Sequence, residues 1–148
     1  MGNTPIFFQR HNSKTGRSLI VEETEREFWV YLTFPHSDAI DKSGFLGSRY
    51  PITNEQLCPE RLRESEQPPP MLRSCFSEWG LLADLWEEDL SVFWAKDHAI
   101  LEIDRYPHLF FFDGATSGFS KGICRDHPLY GNEWDAELYQ DLFGWRRW

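Results

Sequence analysis

The sequence contains no apolar run approaching the roughly 20 residues that a membrane-crossing helix needs, and no segment of it repeats. Cysteine is scarce. Cys58, Cys75 and Cys124 form neither an even set nor a C-x-x-C pair, which excludes a disulfide framework and the usual zinc spacings. An odd number of thiols without a secretory leader suits a reducing compartment. The opening residues Met1-Gly2-Asn3-Thr4-Pro5-Ile6-Phe7-Phe8 lack the basic region and long apolar stretch of a leader, and Ile6 stands where a myristoylation site needs Ser or Thr. A cytosolic protein is therefore expected. H-E-x-x-H and H-x-H are absent, so neither a metal centre nor a cofactor is expected. Cations are also in short supply: 15 Lys and Arg face 24 Asp and Glu, for a net charge of −9.

Aromatic side chains, by contrast, are abundant. They make up 16% of the chain, with seven Trp and twelve Phe. Hydrophobic residues at 41% and charged residues at 26% match ordinary globular usage, and 148 residues without a shift in composition suit one domain spanning 1–148. The acid surplus is uneven. Residues 1–74 carry a net −1 and residues 75–148 a net −8. A field of that sign repels nucleic-acid phosphates and anionic membranes and attracts basic proteins. Solubility alone is the competing explanation for such a surplus.

Element signals point to an α+β fold. Ile6–Gln9, Ser18–Val21 and Glu27–Phe34 read as strands joined by short turns, the third apolar enough to be central and covered. Residues 35–51, with Ser43-Gly44 and Gly47-Ser48, read as loop. Thr53 with Gln56 resembles a capping box, and Pro68-Pro69-Pro70 a rigid linker. Leu72, Phe76, Trp79, Leu82 and Trp86 then recur at helical spacing, predicting a central helix that begins at Pro70. Val92–Trp94, Ala99–Asp104 and His108–Phe112 follow as strands, with a short edge strand at Gly122–Arg125. Asn132 caps a last helix whose face is Trp134, Leu138, Leu142 and Trp145, with Arg146 and Arg147 at its negative end. The expected architecture is an antiparallel sheet formed by two meanders, with a central and a C-terminal amphipathic helix packed on it.

Four constellations bear on chemistry. The loop from Asp113 to Gly122 is Gly-rich, carries hydroxyls and a lysine, and follows a strand, as phosphate cradles do. It lacks the Gly-Lys-Ser/Thr and following helix of a P-loop, because Gly122 succeeds Lys121. Asp113-Gly114-Ala115-Thr116 resembles the first motif of haloacid-dehalogenase-type phosphatases but lacks the second aspartate. Asp97-His98 and Asp126-His127, the latter near Cys124, are acid–histidine neighbours, although adjacent residues on a strand face opposite ways. Glu87 and Glu88 beside Trp86 bring a glycosidase carboxylate pair to mind, on a chain short for such folds.

The fourth constellation is an acid–aromatic stretch. Asp84, Glu87, Glu88, Asp89, Asp97, Glu102 and Asp104 are interleaved with Trp86 and Trp94. Large rigid anchors ringed by charge are what protein-binding hot spots need. The helical stripe would bury Trp86, which leaves Trp94 as the anchor, and Glu102 and Asp104 would share one strand face. In size, acidity, aromatic richness and absence of catalytic motifs the chain is similar to the immunity proteins that accompany bacterial toxins. That resemblance implies tight one-to-one inhibition of a cognate toxin, often a nuclease; the acidic field, for its part, favours a basic protein partner over nucleic acid or membrane. The alternative is a small hydrolase or phosphate-binding domain using the loop 113–127, with Asp113, Lys121, Asp126 and His127 as its site.

Overall fold

In the computed structural model, the described residues, 5–25, 27–53 and 71–144, form two sheets and one α-helix. The first sheet has strands β1 (Phe7–Asn12), β2 (Arg17–Glu23), β3 (Glu27–Thr33) and β4 (Ile40–Ser48), all antiparallel and in chain order. The second has β5 (Leu90–Ala95), β6 (His98–Ile103), β7 (Tyr106–Phe111), β8 (Phe119–Ser120) and β9 (Asn132–Glu133). Its last pair is parallel, so this sheet is mixed. The α+β class holds, but the single sheet expected from the sequence is two.

Alternation along the strands builds a layered core. The inward residues Phe8, Leu19, Val21, Phe28, Val30, Leu32 and Leu46 of the first sheet meet Leu90, Ala99, Leu101, Ile103, Leu109 and Phe111 of the second. β3 is covered on both faces, as its unbroken apolar run predicts: Trp29 packs on the other side with Phe45, Met71, Cys75, Ile123 and Tyr130. The outer face of the second sheet presents Ile100 and Phe110 to the helix α1 (Ala136–Phe143), which buries Tyr139 and Phe143 against them. Full burial of each such side chain contributes about 1.5–3 kcal/mol.

Turn chemistry sets the hairpins. Asp104 and Arg105 both take positive φ, 51° and 70°, between the paired residues Ile103 and Tyr106, the two-residue turn whose twist suits a hairpin. Asp104 therefore belongs to a turn, not to the strand face assigned to it with Glu102. Gly16, at φ 76°, closes the β1–β2 turn beneath the His36 ring, where a Cβ would collide.

Three expectations fail for identifiable reasons. β4 occupies a stretch read as loop. Its glycines are sites of close approach: a Cβ on Gly47 would meet the Gly80 carbonyl and Leu82, and one on Gly44 would meet Leu109 and Gly118. The central helix is replaced by short 3-10 turns at Arg73–Cys75, Glu78–Gly80 and Glu87–Asp89, joined by extended residues. Beyond the i→i+3 bonds of those short turns, the segment bonds to strands and loops distant in sequence. Ser77 N donates to Gly122 O at 2.9 Å, Leu82 N to Ser48 O at 2.7 Å, and Cys75 O accepts from Cys124 N at 2.8 Å. The edge strand at Gly122–Arg125 shrinks to one bridge between Ile123 and Phe76, and β8 and β9 extend the sheet instead.

α1 starts one turn later than predicted. Asp135, not Asn132, is its cap, its carboxylate accepting from Leu138 N at 3.0 Å, while Asn132 lies in β9. The capping box at 53–56, the proline linker at 68–70 and the helix end at 145–147 lie outside the described residues.

The segment between the sheets is tied down by a buried carboxylate. Glu27 is 2% exposed; it accepts from Trp29 Nε1 at 3.2 Å and from Met71 N at 2.6 Å. Met71 is thereby held over the outer face of the first sheet, and the chain runs from there to the exposed tryptophans.

Candidate functional site

The extended path of 71–90 decides which aromatics face solvent. Leu85 is buried, and its neighbour Trp86 is 56% exposed. Trp86 heads the 3-10 turn Glu87–Asp89: the Asp89 carboxylate accepts from Trp86 N at 2.9 Å, and Asp89 N donates to Trp86 O at 3.0 Å. The burial assigned to Trp86 by helical periodicity is thus reversed. A depression of about 290 Å³ beside it is lined by Pro5, Ile6, Arg49, Leu85, Trp86, Glu87 and Glu88. The guanidinium there is already committed. Arg49 Nε and Nη2 bond both oxygens of Glu23, at 2.6 and 3.1 Å, and its Cζ lies 5.0 Å from the centre of the Phe28 ring.

The acids of the 87–89 turn join the β6–β7 turn, since Asp104 N donates to Asp89 O at 2.9 Å. Glu88, Asp89, Ser91, Asp104 and Arg105 line a second depression of about 410 Å³ there. Among the described residues, no Lys or Arg lies within 4.0 Å of Asp84, Glu87, Glu88, Asp89 or Asp104.

Three expected members do not belong to this face. Asp97 sits in the turn at the far end of β5, about 20 Å along the hairpin at strand spacing, and approaches Arg17 Nε at 3.8 Å. Glu102 is 4% exposed, on the outer face of the second sheet, where it accepts from Ser91 Oγ at 3.3 Å. Trp94 faces the other way, partly buried against the core between the sheets. An alternating strand must put one residue class inside, and here the inner class is Leu90, Val92 and Trp94.

The alternative ligand residues fall in different places. Asp113 is exposed beyond the end of β7. Asp126 Oδ1 accepts from Glu133 N at 2.9 Å. His127 Nδ1 accepts from Leu129 N at 3.1 Å, which puts its ring hydrogen on Nε2, and the ring stacks on Tyr130 at 4.3 Å. Both side chains hold the 126–133 loop. Burial pushes the Tyr130 phenol up to about 12, with Cys75 and Glu27 acting in the same direction.

Lys121 lines a depression. It follows β8, its backbone N donating to His108 O at 2.9 Å. Its ammonium lies 4.6 Å from the Trp134 ring and 5.9 Å from the Trp79 ring. Trp134 is fixed edge-on to Phe110 at 5.1 Å, while Trp79 is 62% exposed and meets the His108 ring at 6.5 Å. Ser77, Trp79, Lys121, Ile123, Glu133 and Trp134 line an open depression of about 310 Å³. Burial lowers the Lys121 ammonium below the ordinary lysine value. It also pushes His108 below the usual imidazole value; the Tyr106 carbonyl, which accepts from Nδ1 at 3.2 Å, and Asp104 oppose that shift, and Lys121 adds to it.

Sequence reasoning missed the exposure of Trp79 and Trp86. The signal was Gly80, a weak helix residue in the middle of the predicted stripe. Among the described residues, no three His, Cys, Asp or Glu side chains are grouped to hold a metal ion, and no helix is long and apolar enough to cross a membrane. Comparison with protein-family models, with curated proteins and with solved structures found no match to this chain.

Proposed function

We propose that this chain is a small single-domain cytosolic binding protein that docks a basic protein partner through the acidic face around Trp86, as the immunity proteins do when they block toxins. One observation carries the reading. Trp86 stands 56% exposed above the buried Leu85, with Glu87 and Glu88 beside it. A rigid indole desolvates well, and carboxylates around it with no Lys or Arg in ion-pair contact among the described residues steer and select a cationic surface. The face comprises Asp84, Glu87, Glu88, Asp89 and Asp104, with Trp86 replacing Trp94 as anchor. Nucleic acid and anionic membranes are disfavoured by the same field.

The test captures proteins from the native host on immobilised wild-type chain, on Trp86→Ala, and on the triple variant Glu87→Lys, Glu88→Lys, Asp89→Lys. The expected result is a basic protein held by wild type, inhibited by one equivalent, and bound about 30-fold more weakly by Trp86→Ala, the equivalent of about 2 kcal/mol. The triple variant slows association and removes its salt dependence. Capture of the same proteins with equal affinity by all three chains overturns the proposal.

A further inference from the structure

The depression around Lys121 has two features that its role in packing does not require. First, Lys121 and Glu133 are opposite charges lining one hollow, yet they are not within 4.0 Å of each other. Among the described residues the Lys121 ammonium has no carboxylate or hydrogen-bond acceptor, and its near neighbours are the two indole faces. The Glu133 carboxylate likewise has no partner among them, although its backbone N is bonded to Asp126. Second, the walls are aromatic and of unequal freedom. Trp134 is locked against Phe110 and Tyr139, whereas Trp79 leaves more than half its surface open.

The backbone around the hollow is held. Ser77 N bonds Gly122 O at 2.9 Å, Gly122 N bonds Ser120 Oγ at 3.0 Å, and the Ser77 hydroxyl accepts from Trp79 N at 3.3 Å. Gly80 and Gly122 pack so closely that a Cβ on Gly80 would meet the Gly122 Cα. The charges and rings are therefore presented by a frame already built, which lowers the ordering cost of binding.

We propose that this hollow binds a free α-amino acid with an apolar or aromatic side chain, its carboxylate on Lys121, its ammonium toward Glu133 and its side chain against Trp79 and Trp134. A volume of about 310 Å³ is at the small end of ligand sites, which suits a single amino acid. A simple anion would satisfy Lys121 and leave Glu133 repelled; a simple cation would do the reverse. A zwitterion satisfies both, and a flat side chain uses the indole faces. The site lies on β8, β9 and the 77–80 turn, away from the acidic face at 84–89, and does not depend on the protein-binding proposal.

The test titrates full-length chain with L-phenylalanine while recording the indole N–H signals of Trp79 and Trp134, assigned with Trp79→Phe and Trp134→Phe. N-acetyl-L-phenylalanine and L-phenylalanine methyl ester are run in parallel. The expected result is a saturable shift of both indole signals with L-phenylalanine. Loss of either ligand charge weakens binding at least tenfold, as does Lys121→Met or Glu133→Gln. Glu133 is exposed, so its variant keeps the fold intact even where Lys121→Met does not. No saturable shift at millimolar L-phenylalanine overturns the proposal. Equal binding of the acetylated compound or the ester also overturns it, since recognition would then need only one charge.

Discussion

Replacing Glu27 with Gln tests whether the segment bearing the exposed tryptophans is held by one buried carboxylate. Glu27 accepts from Trp29 Nε1 at 3.2 Å and from Met71 N at 2.6 Å. Gln keeps the shape but offers one carbonyl oxygen, so its NH₂ group faces one of these two donors. Leaving a buried donor without an acceptor costs about 1–3 kcal/mol, and the remaining bond loses its charge assistance, about 1 kcal/mol more. Against that, Gln avoids the burial of a charge, which offsets part of the loss. The expected net destabilisation is about 2 kcal/mol, or about 4–8 °C in melting temperature for a chain of this size. Urea unfolding measures it, with the exposed Glu25→Gln as a control expected within about 0.5 kcal/mol of wild type. Hydrogen exchange at the Met71 amide should speed up by more than the global change in stability. A Glu27→Gln protein as stable as wild type, with unchanged exchange at Met71, refutes the reasoning and leaves packing alone as the tie.

Two further outcomes follow from the geometry. His108 is held below its usual value by burial, so the unfolded chain takes up its proton first; the stability it contributes is full above pH ~6.5 and is lost as pH falls through the lower folded value. In urea titrations at neutral and mildly acidic pH, His108→Gln should flatten that slope, and an unchanged slope shows that other groups cause the acid sensitivity. Gly47→Ala puts a Cβ against the Gly80 carbonyl and should destabilise by about 1–3 kcal/mol in the same assay, while a neutral result would mean that the 77–82 segment can move away from β4 freely.

Much of the fold is legible in the residues. The strands β2 and β6, the unbroken apolar run of β3 and an amphipathic helix near the C-terminal end follow from local pattern, although the residues α1 buries most deeply are Tyr139 and Phe143, while Trp134, Leu138 and Leu142 of the expected face are only partly buried. β4 was not legible. Its glycines mark loops by propensity, whereas here they are the points where β4 is crossed by the 77–82 segment and by the 109–118 hairpin region. The acid–aromatic stretch was partly legible. Its charge was plain, but Glu102 is buried beside Ser91 on the outer face of the second sheet, and Trp94 turned to the core between the sheets.

The sequence by itself determined the α+β class, the charge asymmetry and the identity of the strands with two-residue alternation, because these depend on residues close together in the chain. Only the tertiary structure decided which tryptophans face solvent. The stripe from Leu72 to Trp86 satisfies helical periodicity, yet its backbone finds partners on Ser48, Gly122 and Cys124, all distant in sequence. Once those bonds replace helical ones, the segment lies extended across the sheet edge. Trp79 and Trp86 then stand outward, and the candidate surfaces of this protein come into being.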